Sequence, residues 1–150
     1  MDSTRLVNAI SGWFDHGAGD FSDNHHYPNP ECGLPNSPFD ASRIGIEGEF
    51  GGIGHNVTEE HLWKVKGAID AIHETYELYD TIEQWNARDH FLLSELLLQV
   101  QLYSCSGGVW TQTTDVEGEV NGMLTYDRRI LRPYVHQWKA DVQVYDSPKM

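Results

Sequence analysis

The stretch Ile44-Gly45-Ile46-Glu47-Gly48-Glu49-Phe50-Gly51-Gly52-Ile53-Gly54 decides how the rest of the chain is read. It begins with β-branched residues and glycines, as a buried strand does, reaches a carboxylate and an aromatic, and passes into a loop with three glycines in four positions. A strand over Arg43–Phe50 that delivers one acid to a Gly-rich opening is how a β/α unit presents a reacting group at its C-terminal end. Glu49 is therefore the first candidate for chemistry. The plain alternative is a solvated loop acid, and Gly48, Gly51 and Gly52 around it favour the functional reading.

Upstream of this strand, Thr4–Ile10 reads as a short strand ended by Ser11-Gly12, and Phe21–Tyr27 as another closed by Pro28. Pro28–Asp40, with four prolines, has to be irregular. Downstream, Leu62, Val65, Ile69, Ile72, Tyr76 and Tyr79 recur at helical spacing, which predicts a helix from about Glu59 to Ile82 with Thr58 as its cap. A second helix is expected over Asp89–Ser104, capped by Asn86 and stopped by Gly107-Gly108. Its Phe91-Leu92-Leu93 and Leu96-Leu97-Leu98 clusters predict burial on more than one side. Val109–Thr114 follows as a strand, then a long loop over Asp115–Asp127 with an Asn121-Gly122 turn. A last helix is expected from near Pro133 to Tyr145, with Val135, Trp138, Val142 and Tyr145 inward. Strands that alternate with helices in this way define an α/β chain with a parallel sheet.

The 150 residues suffice for one domain with a core. Ten basic residues against 23 acidic ones give a formal charge of −13, which repels phosphate backbones and anionic lipid, so neither nucleic acid nor a membrane surface is an expected partner. No apolar run approaches a bilayer span, and Met1-Asp2-Ser3-Thr4-Arg5 does not lead into a signal-peptide core. Compartment is left open. Cys32 and Cys105 can pair in an oxidising environment or remain two buried thiols. Asn56-Val57-Thr58 fits a glycosylation sequon, which matters only in a eukaryotic secretory setting.

In a parallel β/α fold the strand ends share one mouth, and here they carry Ser11, Trp13, His25, His26, Tyr27, Glu49, Trp110, Gln112 and Asp115. A carboxylate beside a phenol, an imidazole and an indole resembles the surroundings of a glycosidase nucleophile: the hydroxyl orients the carboxylate and the indole offers an apolar platform to a sugar. Other chemistries are less well supported. Asp15, His16, Asp20, Asp23, His25 and His26 match no metal motif, and neither a metal nor another cofactor is expected. Asp115-Val116-Glu117-Gly118-Glu119 lacks the calcium-loop pattern and reads as a solvated acidic loop. There is no nucleophile elbow and no phosphate loop.

Taken in order, Ser11-Gly12-Trp13, Asp23-Asn24-His25-His26-Tyr27-Pro28, Gly48-Glu49-Phe50-Gly51-Gly52, Thr111 to Gly122 and Tyr126-Asp127-Arg128 resemble glycoside hydrolase family 2, which includes β-galactosidases, β-glucuronidases and β-mannosidases. The resemblance covers almost the whole chain. It implies the C-terminal half of a (β/α)8 TIM barrel, with barrel strands five to eight at Thr4–Ile10, Phe21–Tyr27, Arg43–Phe50 and Val109–Thr114. It implies Glu49 as nucleophile, Tyr27 as the tyrosine that hydrogen-bonds it, and Trp110 at the sugar subsite, with His25, Gln112 and Asp115 as further contacts to a β-glycoside or oligosaccharide substrate. One departure is decisive for activity: the family's acid/base sits in an Asn-Glu pair, and no Asn-Glu occurs here. The chain alone is expected to be inactive, and its partners to be the missing N-terminal half-barrel and β-sandwich domains of a longer parent. The alternative is a non-catalytic carbohydrate-binding or assembly fragment.

Overall fold

A computed structural model describes residues 2–9, 12, 14–27, 29–32, 42–66 and 77–146. Its elements in chain order are β1 (Phe21–His25), β2 (Ile44–Gly51), β3 (Ile53–His55), β4 (Glu77–Tyr79), α1 (Ile82–Leu102), β5 (Cys105–Thr111) and α2 (Val135–Gln143). The fold is α/β. Strands β1, β2 and β5 form one sheet in that order, with β1 and β2 parallel, and β3 and β4 form a parallel pair. No closed barrel is formed among the described residues.

Contacts sort the chain into two units, Met1–Phe50 with Ser94–Val109, and Gly51–Leu93 with Trp110–Met150. In the first, β1 and β2 are where the β-branched pattern places them. Their register runs from Phe21 opposite Ile44 to Asn24 opposite Glu47, then skips to His25 opposite Glu49. Gly48 is the extra residue of this bulge, and a Cβ there would fall on the Asp23 carboxylate. Phe50, Leu96, Cys32 and Cys105 are buried, and the two cysteines form a disulfide with Cα atoms 5.7 Å apart. Gly108 does not stop a helix. It lies in β5, where a Cβ would come within 2.9 Å of Leu96 Cδ2 and 3.0 Å of Phe50 Cε1, so its missing side chain lets both close on the strand.

The expected strand at Thr4–Ile10 does not form over its described residues. Thr4 turns back to Asp2, its N–H and hydroxyl donating to Asp2 Oδ1 at 2.9 and 2.6 Å, and Val7 N–H donates to the Asp20 carboxylate rather than to a ladder. Pairing is limited to one antiparallel bridge between Asn8 and Gly19.

In the second unit the expected helix over Glu59–Ile82 is replaced at both described ends. Glu59–His61 is a single 3-10 turn, with Thr58 extended before it and making no side-chain cap, and Leu62 is extended after it. Glu77–Tyr79 is a strand paired with β3. The Glu77 carboxylate binds Arg88 at 2.6 and 2.8 Å and the Tyr79 hydroxyl at 2.6 Å, tertiary contacts that outweigh the weak preference of one helical stripe. Ile69, Ile72 and Tyr76 lie outside the described residues.

Helix α1 starts seven residues earlier than Asp89, at Ile82. Its start is a reciprocal cap: Gln84 N–H donates to Thr81 Oγ1 at 3.2 Å while Gln84 Oε1 accepts from Thr81 N–H at 3.3 Å. Asn86 is therefore interior, its amide donating to the Ile82 and Arg132 carbonyls. The helix ends at Leu102 and Ser104 takes the left-handed region, φ 64°. Trp85, Asp89, Leu92, Leu93, Leu96 and Gln99 form one buried stripe, while Phe91 and Leu98 remain exposed, so burial is one-sided. Trp85 is fully buried, and its Nε1–H donates to the Ile53 carbonyl at 2.9 Å. In α2 the supposed inner residues Val135 and Val142 are exposed and Trp138 is half-buried, while Tyr145, also half-buried, lies in a 3-10 turn beyond its end.

Candidate functional site

In the first unit, β1 carries Asp23 and His25 on one face, and the chain continues to Tyr27 in the same alternation. The opposing acid comes from β2. Without the bulge Glu47 and Glu49 would share a face, whereas Gly48 turns them apart. Glu49 meets Tyr27 and His25, and Glu47 meets His26.

Tyr27 Oη–H donates to Glu49 Oε2 at 3.0 Å, and His25 Nδ1 lies 3.3 Å from the same oxygen. His25 Nε2 is 3.8 Å from Asp23 Oδ1, and Asp23 Oδ2 accepts from the Asn8 side-chain amide. The result is a line of polar groups from Asn8 through Asp23 and His25 to Glu49 and Tyr27. His25 and Asp23 are buried, while the Glu49 side chain keeps 44% of its surface accessible. A carboxylate supported from behind and open in front can act as a nucleophile or hold a cation-like centre.

Glu47 is the contrasting acid. It is fully buried, Oε2 accepts from Glu31 N–H at 2.9 Å, and Oε1 has no hydrogen-bond partner, with His26 Nδ1 3.6 Å away. Burial pushes its carboxyl up to about 8, against the downward pull of the Glu31 and His26 backbone amides. Two acids two residues apart thus differ in environment because of one glycine.

The remaining expected residues are in the second unit. Trp110 has the edges of two indoles against it, Trp85 at 6.0 Å and Trp138 at 5.0 Å between centroids. Gly51, at φ 93°, approaches this ring so closely that a Cβ would be 2.9 Å from Trp110 Cε2. Gln112 donates through its side chain to Asn121 Oδ1 at 2.7 Å and Glu119 Oε2 at 3.2 Å. Asp115 is not solvated, as an acidic loop would be. It is buried, with both oxygens on Arg132 at 2.6 and 2.8 Å and Oδ1 also accepting from Gly122 N–H at 2.8 Å. Ser11 and Trp13 lie outside the described residues.

The acids Asp15 and Asp20 before β1 are engaged elsewhere. Asp15 pairs with Arg43 at 2.6 Å, which holds its carboxyl below the usual range, and Asp20 takes Val7 N–H. Among the described residues no three His, Cys, Asp or Glu side chains are grouped to hold a metal.

Asp23 was legible in principle, since strand alternation puts residues 23, 25 and 27 on one face. Asn8 and Arg132 were not, because nothing in their spacing links them to partners 15 and 17 residues away. No protein-family model matches the chain, and no curated protein matches it.

Proposed function

We propose that this chain is the nucleophile-bearing half of a retaining exo-β-glycosidase resembling glycoside hydrolase family 2, with β1, β2 and β5 as barrel strands six, seven and eight. The observation that carries the reading is the Tyr27–Glu49 hydrogen bond of 3.0 Å, which orients an accessible carboxylate at the C-terminal end of a parallel strand. The adjacency of the three strands is what barrel strands six, seven and eight would show, and it supports the reading.

In this mechanism a Glu49 oxygen attacks the anomeric carbon as the bond to the leaving oxygen breaks. That oxygen takes a proton from a second carboxyl about 5–5.5 Å away. Water, deprotonated by the same group, then cleaves the glycosyl ester and restores the Glu49 carboxylate. The sequence has no Asn-Glu, so the second carboxyl is assigned to the N-terminal half of a longer parent. Tyr27 and His25 position Glu49, and within the second unit Asp115 acts through Arg132 by fixing the loop that follows β5.

The test uses the full-length parent and a 2-deoxy-2-fluoro β-glycoside with an activated leaving group, which traps the ester. Label on the peptide containing Glu49 is the expected result, and label on any other peptide refutes the assignment.

A further inference from the structure

We propose that Asn56 carries an N-linked oligosaccharide. Two separate features of the chain lead to this, and neither involves the glycosidase site.

The first is the acceptor. Asn56-Val57-Thr58 is the one Asn-x-Ser/Thr stretch in the sequence whose middle residue is not proline. Asn56 follows the last residue of β3, and its backbone N–H extends the β3–β4 ladder by donating to the Tyr79 carbonyl at 2.8 Å, which fixes the main chain. The side chain is exposed. Its amide nitrogen reaches Asp80 Oδ1 at 3.5 Å, the outer limit of a hydrogen bond, so little is lost when that nitrogen takes a sugar. Thr58 is exposed and extended, at φ −69° and ψ 152°, and its hydroxyl does not cap the turn that follows. Glu59 and Glu60 beyond it are also exposed, leaving open space for a bulky polar group.

The second is the compartment. Cys32 and Cys105 are joined, and structural disulfides are made and kept in oxidising compartments, the same ones in which eukaryotic cells attach glycans to nascent chains. An exposed sequon in a cytosolic protein has no donor. A chain that keeps this disulfide passes through an oxidising compartment, and in a eukaryotic cell that compartment is the one that holds the donor.

The transfer uses a polyprenyl-diphosphate-linked oligosaccharide. The bond from the sugar's anomeric carbon to the diphosphate oxygen breaks, a bond from that carbon to Asn56 Nδ2 forms, one amide proton is released, and the lipid diphosphate leaves. No electrons are exchanged.

The experiment is peptide mapping by mass spectrometry of the protein purified from its own cells without reduction, with and without peptide:N-glycosidase in heavy-oxygen water. The expected result is a Cys32–Cys105 linked peptide pair, and an Asn56 peptide that appears only after the glycosidase, shifted from the unmodified mass by conversion of Asn56 to heavy-oxygen-labelled Asp. Recovery of unmodified Asn56 before treatment overturns the proposal, as does recovery of Cys32 and Cys105 as free thiols. The map reads no sugar hydrolysis, so its outcome is separable from that of the nucleophile trap.

Discussion

Replacing Arg132 by Met tests whether Asp115 is a structural acid or a surface one. The guanidinium is fully buried, and it supplies two of the three donors that the Asp115 carboxylate receives, at 2.6 and 2.8 Å; the third is Gly122 N–H. Methionine fills most of the volume and removes the charge, so Asp115 is left buried with one amide donor. Breaking a buried pair from one side costs about 3–5 kcal/mol. Against a typical domain stability of about 5–15 kcal/mol that is about a fifth or more of the total. With a urea slope of about 2 kcal/mol/M the unfolding midpoint drops by roughly 2 M. Trp85, Trp110 and Trp138 are in the same unit, so tryptophan fluorescence during urea titration reports the change. Combining Arg132→Met with Asp115→Asn completes a cycle in which the two losses should not add, because each variant removes the same pair. A midpoint shift worth under about 1 kcal/mol, or additive losses, would mean that Asp115 is solvated like an ordinary surface acid and would refute the reasoning.

Three further outcomes are expected. Glu47→Gln should flatten the dependence of stability on pH: an acid raised to about 8 in the folded state binds its proton more tightly there than in the unfolded chain, so its contribution is full below the ordinary glutamate pKa and is lost as pH rises toward 8. Urea midpoints at pH 5 and pH 8 check this, and an unchanged difference between them would count against burial of the charge. Tyr27→Phe, made in the full-length parent, should lower kcat/KM by about 10- to 100-fold, the value of one hydrogen bond to a charged group, and a change within twofold would deny Tyr27 its role. Thr81→Ala removes the oxygen that accepts Gln84 N–H and should cost about 1 kcal/mol by thermal melting, with Thr81→Ser restoring most of it.

How much of this was legible depends on the range over which each feature is determined. Strands β1 and β2 follow from local composition: Ile44 and Ile46 favour an extended chain, and Gly51 and Gly52, at φ 93° and 60°, sit where a side chain would be strained. The exposure of Glu49 at the end of such a strand was also readable, because it needs only the strand's direction and the glycines after it. The helical stripe over Glu59–Ile82 gave way at its described ends because a periodic pattern is worth only tenths of a kcal/mol per residue, and Glu77 found Arg88 and β3 instead; residues 67–76 lie outside the described ones. Gly107-Gly108 misled for a similar reason. A glycine can end a helix or admit a neighbour, and only the positions of Leu96 and Phe50 choose between them.

By itself, then, the sequence determined the α/β class, the acidic surface, the strand that bears Glu49 and the polar alternation of residues 23, 25 and 27, since each is set by neighbours within a few residues. Tertiary structure decided the rest: that Gly48 bulges and turns Glu47 away from Glu49, that Asp115 is consumed by Arg132, and that Cys32 meets Cys105. Those outcomes depend on which distant groups are brought within about 3–6 Å, and no local propensity is large enough to specify them.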